Sequence, residues 1–340
     1  MHDKSIAGSP LVSFIVPVRN LENLIERCIR SIQEQSYTDF EIIAVENGST
    51  DASWNKLLNL SSTDKRIRPF RLTDCTGVAA ARNFGLRKSI GKFICFVDGD
   101  DFLYPDFISR MIKPLVEGQA DYTICDMTYD GNKRGTRTFP KNRIDFSIES
   151  EYKLGLRLSA GSSCGKLFRR NLIGSTEFPN LPIGEDSLFM LEIYTKKPVL
   201  VHVPYIGYYY YQNPESSMHD LTIDKIDSSF TFLYQGKSLL QAKKQWNIAG
   251  AYWKSRAKMN SIERFQQLKR RELKAYWKTQ FISFLKSDFF DDDMLKPLII
   301  AIIRISPVIL LKWIFTLLFT MLNVARFFVN QKNSILRKSN

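Results

Sequence analysis

Short apolar segments alternate with helical patterns through the first hundred residues, and this alternation constrains the fold more than any other feature. The apolar segments are rich in β-branched and aromatic residues and predict buried strands, whereas apolar residues at helical spacing predict the helices between them. Strands that alternate with helices through short loops indicate a parallel sheet with right-handed crossovers, an α/β fold. The predicted strands lie at 12–16, 40–45, 67–72 and 93–97, and the predicted helices at 21–35, 53–60 and 77–88.

In such sheets ligands bind at the carboxyl ends of the strands, so the residues that follow each strand are the first candidates for a site. The cluster Asp98-Gly99-Asp100-Asp101 is the most informative, because its three carboxylates repel one another unless a cation holds them. Their hard oxygen atoms suit Mg²⁺ or Mn²⁺, which would in turn hold a diphosphate. The alternative is a solvated acidic turn in which Asp100 or Asp101 caps the next helix.

Composition indicates a globular protein. A chain of 340 residues with 44% apolar and 24% charged side chains can bury a sizeable core and is neither disordered nor collagen-like. The first ten residues contain no apolar stretch, so we expect no secretory signal peptide. The five cysteines are odd in number and lack CxxC spacing, which favours buried free thiols in a reducing cytosol, as for Cys28 and Cys95 in their apolar runs.

The net charge of +13 is concentrated in the last third of the chain. Residues 1–235 hold 28 basic and 29 acidic side chains, whereas residues 236–340 hold 20 basic and 6 acidic ones. This asymmetry predicts a domain boundary near residue 230. Basic residues interleaved with Trp and Tyr in a helical pattern over 228–290 suit an anionic membrane surface, but also nucleic acid or a solvated helix face.

Residues 298–329 are very apolar, although Arg304, Lys312 and Arg326 interrupt them. The longest stretch without a charge, 313–325, is 13 residues long and falls short of the roughly 20 that span a bilayer. On a helix the three basic side chains fall on one narrow face. This pattern predicts a helix that lies in the headgroup plane. The alternative is a helix docked on the preceding domain of this protein or on a second subunit.

Six motifs follow one another along the chain: VSFIVPVRN (12–20), FEIIAVENGSTDAS (40–53), GVAAARNFGL (77–86), GKFICFVDGDD (91–101), SSCGKLFRR (162–170) and GEDSLF (184–189). In this order they resemble the inverting family-2 glycosyltransferases over about residues 10–220. The resemblance implies a GT-A fold, in which a Rossmann-like nucleotide-sugar half (10–115) is continuous with an acceptor half (116–225). We expect the remaining residues, 226–340, to form a helical, membrane-associating region.

The same resemblance implies which residues bind the donor. Asp98 and Asp100 match the DxD pair, with Asp98 near the ribose and diphosphate and Asp100 on a Mn²⁺ or Mg²⁺ ion. Asn47 stands where the family usually has an aspartate that reads uracil, which leaves the identity of the base open. His219 would complete the metal site, or it is a surface loop residue. The other candidate donor-binding residues are Pro17, Arg19, Glu46, Arg82 and Lys166.

Asp186 in the Glu185-Asp186 pair matches the family's catalytic base. An inverting transfer is a single displacement at the anomeric carbon, and the acceptor hydroxyl must lose its proton as it attacks. The alternative interpretation is that both carboxylates simply favour the first turn of the helix that follows.

These features predict a metal-dependent, inverting glycosyltransferase that moves a sugar from a UDP-sugar to a glycan, in the synthesis of bacterial capsule, exopolysaccharide or another surface glycan. We expect a saccharide or lipid-linked saccharide acceptor, a peripheral location at the cytoplasmic face of the inner membrane, and no nucleic-acid partner. The alternative is a catalytically silent nucleotide-sugar-binding scaffold of a membrane assembly complex, which the atypical Glu46-Asn47 pair keeps open.

Overall fold

The computed structural model describes residues 12–73, 77–129, 132–137, 143–145, 162–214, 222–247, 249–250, 253 and 271–286. The chain divides into two compact units. The first contains residues 1–217 and 238–252, and the second contains residues 218–237 and 253–340. Residue His219 and the apolar segment 298–329 lie outside the described residues.

Strands and helices alternate at the start of the first unit, as the sequence predicts. The elements are β1 (Val12–Val18), α1 (Ile25–Gln33), β2 (Phe40–Asn47), α2 (Ser53–Thr63), β3 (Ile67–Leu72), α3 (Gly77–Lys88), β4 (Phe93–Phe96), β5 (Phe102–Leu103) and α4 (Phe107–Val116). Next come β6 (Tyr122–Tyr129), β7 (Asn132–Arg137), β8 (Arg143–Asp145), β9 (Lys166–Arg169), α5 (Arg170–Ile173), α6 (Glu185–Thr195) and β10 (Val199–Tyr210). The helices α7 (Ile223–Ala242) and α8 (Arg271–Lys286) follow.

The strands form one mixed sheet in the order β3-β2-β1-β4-β9-β6-β10-β5, with β7 on β6 and β8 on β10. The strands β3, β2, β1 and β4 are parallel, which confirms the predicted parallel half. The strand β9 then pairs antiparallel with both β4 and β6. The carboxyl ends of β1, β2 and β4 therefore share one edge of the sheet.

Several boundaries differ from the prediction by one to four residues, as in the first strand and the first helix. The first strand continues through Pro17 to Val18, where it pairs only with β2, because its pairing with β4 ends at Ile15. The first helix begins at Ile25 rather than at residue 21. The expectation of buried free thiols is confirmed for Cys28, Cys95, Cys125 and Cys164, whereas Cys75 lies outside the described residues.

Close packing places α3 and α6 on the sheet. A Cβ added to Gly85 of α3 would lie 2.5 Å from Cγ2 of Ile15, so glycine allows this helix to approach β1. The rings of Phe178 and Phe189 stack at 3.9 Å, and both pack edge-on against Phe96 of β4 at 5.0 and 5.6 Å. These two contacts fix the helices that carry the candidate site.

The second unit has its own aromatic core. Trp277 and Phe281 of α8 stack at 4.6 Å and lie against Phe230 of α7. The Tyr276 hydroxyl donates to the Asp227 carboxylate at 2.8 Å. Within the described residues, no helix is both long enough and apolar enough to cross a membrane.

The substitution Gly85→Ala tests the contact between α3 and β1. Alanine should favour a helix by about 0.5–1 kcal/mol, but the clash with Ile15 should outweigh this gain and lower the free energy of unfolding by about 1–3 kcal/mol. Urea denaturation measures the change. The control is Asn55→Ala, at an exposed position of α2. A Gly85→Ala variant as stable as the wild type would contradict the packing.

Candidate active site

The acidic cluster Asp98–Asp101 follows β4 at the edge where β1 also ends. Gly99 makes this position possible, because a Cβ there would lie 2.9 Å from the Pro17 carbonyl oxygen and 2.8 Å from a Leu21 methyl group. The loop is thereby held against the end of β1.

Asp101 is a buried anchor for this loop. The Tyr208 hydroxyl donates to Asp101 Oδ2 at 2.5 Å, and the Tyr211 backbone N–H donates to Asp101 Oδ1 at 2.8 Å. Burial, with the charges of Asp98 and Asp100, raises the pKa of Asp101 to about 8. The alternative of a solvated helix cap is therefore wrong for Asp101, which is 1% exposed, and the next helix begins only at Phe107, with Asp106 at its N-cap position.

Arg82 connects the acidic loop to the first turn of α6. Its guanidinium is 3% exposed and donates to Asp98 Oδ1 at 2.8 Å, to Glu185 Oε1 at 3.1 Å and to Asp186 Oδ1 at 3.0 Å. The sequence predicted Arg82 as a donor-binding residue, and the structure brings it together with two of the predicted carboxylates, Asp98 and Asp186.

The position of Asp186 depends on the glycine before its helix and on the turn beside it. Gly184 occupies the N-cap position with φ +91°, a conformation that favours glycine. The buried Ser163 hydroxyl donates to Asp186 Oδ1 at 3.0 Å. The Lys166 ammonium donates to the carbonyls of Ser162 and Cys164, so it shapes the turn that carries Ser163. A donor contact by Lys166 stays a prediction.

The cluster combines one buried cation, Arg82, with three carboxylates, those of Asp98, Glu185 and Asp186. Burial opposes the charge on Arg82, but Asp186, Asp98 and Glu185 outweigh it and raise the pKa of the guanidinium well above its ordinary value. Burial and the neighbouring Asp186 raise the pKa of Glu185 to about 7. Burial also raises the pKa of Asp186, although Arg82 opposes the shift. The two carboxylates therefore compete for one buried cation.

Glu46 and Asn47 end β2, and the side chains of both form polar contacts with other residues of the protein. Glu46 accepts a hydrogen bond from the Ser49 backbone N–H and pairs with Arg71 at 2.9 Å. The Asn47 side-chain amide donates to the Gly77 carbonyl at 2.8 Å, at the first residue of α3. Pro17 is buried and Arg19 is exposed near the same edge.

A divalent cation suits the chemistry of the acidic loop. Burial and the neighbouring Asp98 raise the pKa of Asp100 to about 6, so the two carboxylates repel each other. Mg²⁺ is commonly held by one or two carboxylates together with substrate phosphates, and Asp98 and Asp100 supply such a pair. Three or more metal-binding side chains do not converge anywhere in the described part of the chain, and His219 lies outside it.

Sequence reasoning missed three residues of this site. Ser163 precedes the predicted Lys166 but carries no signal of its own beyond the motif SSCGK. Tyr208 belongs to a run of four tyrosines (208–211) that indicates no more than a strand, yet its hydroxyl accepts a hydrogen bond from the Asp98 N–H at 3.3 Å. The Asn213 amide donates to Asp100 Oδ2 at 3.4 Å. Both Tyr208 and Asn213 lie more than 100 residues from their partners, so no local pattern could reveal them.

Comparison with solved structures shows that the fold is GT-A-like. The chain is similar to TarS 1–349 from Staphylococcus aureus, solved with UDP-GlcNAc, with a TM-score of 0.63 and 18% identity over 86% of this chain and 87% of that one. It is also similar to the mannosyltransferase PcManGT from Pyrobaculum calidifontis, solved with GDP-Man and Mn²⁺, with a TM-score of 0.51 and 17% identity over 88% and 87% of the two chains.

The family model Glycosyl transferase family 2 matches residues 13–175, and the chain belongs to this family. A glycosyltransferase of Haemophilus influenzae is 35% identical over 54% of this chain and 71% of its own length. The glycosyltransferase GlyA of Streptococcus pneumoniae is 31% identical over 56% of this chain, but only 29% of its own length is covered. The GalNAc(5)-diNAcBac-PP-undecaprenol β-1,3-glucosyltransferase of Campylobacter jejuni is 28% identical over 57% and 62%. The protein is a glycosyltransferase.

The substitution Glu185→Gln tests the charge balance around Arg82. An unfolded glutamate titrates near 4.5, so between pH 4.5 and about 7 the folded protein holds a proton that the unfolded chain releases. The wild type therefore loses stability as pH rises through this window. Glutamine cannot ionise, so the variant should not lose stability in this way. The free energy of unfolding of the variant, minus that of the wild type, should therefore increase by about 1–3 kcal/mol as the pH rises from 4.5 to about 7.

Urea denaturation at a series of pH values measures this difference. The control is Glu177→Gln, because Glu177 is exposed in its ion pair with Arg87, and its difference from the wild type should stay constant. A flat difference for Glu185→Gln would contradict a raised pKa at this position.

Proposed function

We propose that this glycosyltransferase moves a sugar from a UDP-sugar to a saccharide acceptor with inversion at the anomeric carbon. The observation that carries the proposal is the contact of one buried guanidinium with Asp98, at the candidate diphosphate loop, and with Asp186, the candidate base. An inverting displacement requires a group that activates the acceptor and a group that stabilises the leaving diphosphate within one site.

The nucleotide binds at the ends of β1 and β2, where Pro17, Arg19, Glu46 and Asn47 meet. Asn47 is the candidate that accepts a hydrogen bond from uracil N3–H, because a side-chain amide carries an acceptor oxygen as well as the nitrogen that donates to the Gly77 carbonyl. TarS, which has a similar fold, was solved with UDP-GlcNAc, and this supports a UDP-sugar as the donor. Arg82 and Lys166 contribute positive charge toward the diphosphate.

Asp98 and Asp100 would hold a Mn²⁺ or Mg²⁺ ion, and His219, which lies outside the described residues, stays a further candidate ligand. Such an ion would supply positive charge to stabilise the departing diphosphate. The acidic loop is fixed for this role by Gly99 and by the Asp101–Tyr208 hydrogen bond. The Mn²⁺ complex of the similarly folded PcManGT supports metal dependence.

Asp186 acts as the general base. Its described hydrogen bonds, from Arg82 and Ser163, both reach Oδ1, which leaves Oδ2 to receive the proton of the acceptor hydroxyl. As that hydroxyl oxygen bonds to the anomeric carbon, the bond from the same carbon to the diphosphate oxygen breaks, and the diphosphate leaves on the opposite side. Arg82 lies between the two carboxylates and stabilises charge as it moves across the site.

The acceptor is a saccharide, and we favour one linked to a lipid in the synthesis of a bacterial surface glycan. The name of the Campylobacter jejuni relative describes a polyprenol-linked saccharide. The excess of 20 basic over 6 acidic side chains in residues 236–340 suits a peripheral location on the anionic cytoplasmic face of the membrane.

The substitution Asp186→Asn tests the mechanism. We expect turnover of the preferred donor, from a panel of UDP-glucose, UDP-galactose and UDP-GlcNAc, to fall by about 10²–10⁴-fold, while the affinity for UDP stays within about twofold. Release of UDP measures turnover, and calorimetry measures UDP binding. The control is Glu192→Gln on the same helix, because Glu192 contacts Thr176 rather than the site.

Two outcomes would contradict this proposal. Full turnover by Asp186→Asn would remove Asp186 from the mechanism. Binding of UDP-sugars by the wild type with no turnover in any variant would favour the silent scaffold.

A further inference from the structure

Two tyrosine rings, of which Tyr210 is exposed and Tyr129 is half-buried, form a corner at the carboxyl ends of β6 and β10. Tyr129 and Tyr210 are register partners on these parallel strands, and their rings meet edge-to-face with centroids 5.4 Å apart at 60°. Tyr210 is 39% exposed. A partly exposed aromatic ring at a strand end, where parallel sheets bind their ligands, is a candidate binding surface.

The tyrosine corner is fixed relative to the acidic loop. Tyr208, two residues before Tyr210, donates its hydroxyl to Asp101, and Tyr211, directly after Tyr210, donates its backbone N–H to the same carboxylate. Tyr208 and Tyr210 are two residues apart on one strand, so their side chains point to the same side of the sheet. Burial, together with the charges of Asp101, Asp98 and Asp100, raises the pKa of Tyr210 to about 12.

The order of the strands separates this corner from the proposed nucleotide position. The nucleotide residues end β1 and β2, which lie on one side of β4, whereas β6 and β10 lie on the other side, beyond β9. The acidic loop follows β4 and therefore lies between the two. A sugar that accepts the transferred residue must approach the loop from the side away from the nucleotide.

We propose that the Tyr129–Tyr210 corner is a saccharide-binding platform, on which a pyranose ring of the acceptor packs its C–H face. This inference rests on the proposed function. Aromatic rings offer a large, rigid surface whose negative face suits the weakly positive C–H groups of a sugar, and the tyrosine hydroxyls can hydrogen-bond to its rim.

Fluorine NMR of the full chain labelled with 3-fluorotyrosine tests the platform, with Tyr210→Phe and Tyr129→Phe to assign the two resonances. The probes are lactose, cellobiose, chitobiose and N-acetyllactosamine, added to protein saturated with UDP and Mn²⁺. We expect at least one disaccharide to shift both resonances. Tyr210→Ala should lower the affinity for that disaccharide at least tenfold, whereas Tyr210→Phe should keep this affinity within threefold of the wild type. The affinity for UDP should stay within twofold of the wild type in both variants.

The matched control is Tyr205→Ala, on the same strand, whose ring packs against Arg110 instead. This variant should leave disaccharide affinity unchanged. The proposal is overturned if no disaccharide shifts the two resonances, or if Tyr210→Ala binds disaccharides as tightly as the wild type does. It is also overturned if Tyr210→Ala lowers the affinity for UDP rather than the affinity for the disaccharide. Absence of UDP binding, with the disaccharide shifts retained, would contradict the proposed donor and leave the platform standing.

Discussion

The ion cluster around Arg82 is the interaction on which the site depends. One buried guanidinium pairs with carboxylates from two segments that are almost ninety residues apart, Asp98 after β4 and the Glu185-Asp186 pair of α6. Removing one partner of a buried ion pair leaves an uncompensated charge in a low-dielectric interior, so the three segments hold one another in place. The packing of Gly85 on Ile15 and of Phe189 on Phe96 brings these segments close enough for the cluster to form.

The cluster also gives a physical reason why the proposed donor site and the proposed base would act together. Arg82 is shared by a carboxylate that would meet the diphosphate and by one that would receive a proton. A phosphate that approached Asp98 would compete for the same guanidinium and alter the charge felt at Asp186. The Ser163 hydroxyl, which also binds Asp186 Oδ1, keeps the orientation of that carboxylate from depending on Arg82 alone.

Much of this arrangement could be predicted from the sequence, because it depends on local patterns. The alternation of strands and helices predicted β1 to β4 and α3, and the rule that ligands bind at strand ends drew attention to Asp98 and Asp100. The rest depends on contacts that no local pattern encodes. The Tyr208 hydroxyl donates a hydrogen bond to Asp101, which lies 107 residues earlier in the sequence. Strand β9 lies between β4 and β6 and pairs antiparallel with both. The unusual Asn47 is likewise explained by the structure, since its amide nitrogen holds the first residue of α3.

The most direct measurement is calorimetric titration of UDP, GDP and dTDP into the protein with and without Mn²⁺. If the acidic loop and Arg82 bind a uridine diphosphate through a metal ion, UDP will bind most tightly, Mn²⁺ will be required, and Asp100→Ala will weaken binding at least tenfold. A preference for GDP or dTDP would show that Asn47 reads another base. Failure of all three nucleotides to bind would contradict the assignment of this edge of the sheet as the donor site.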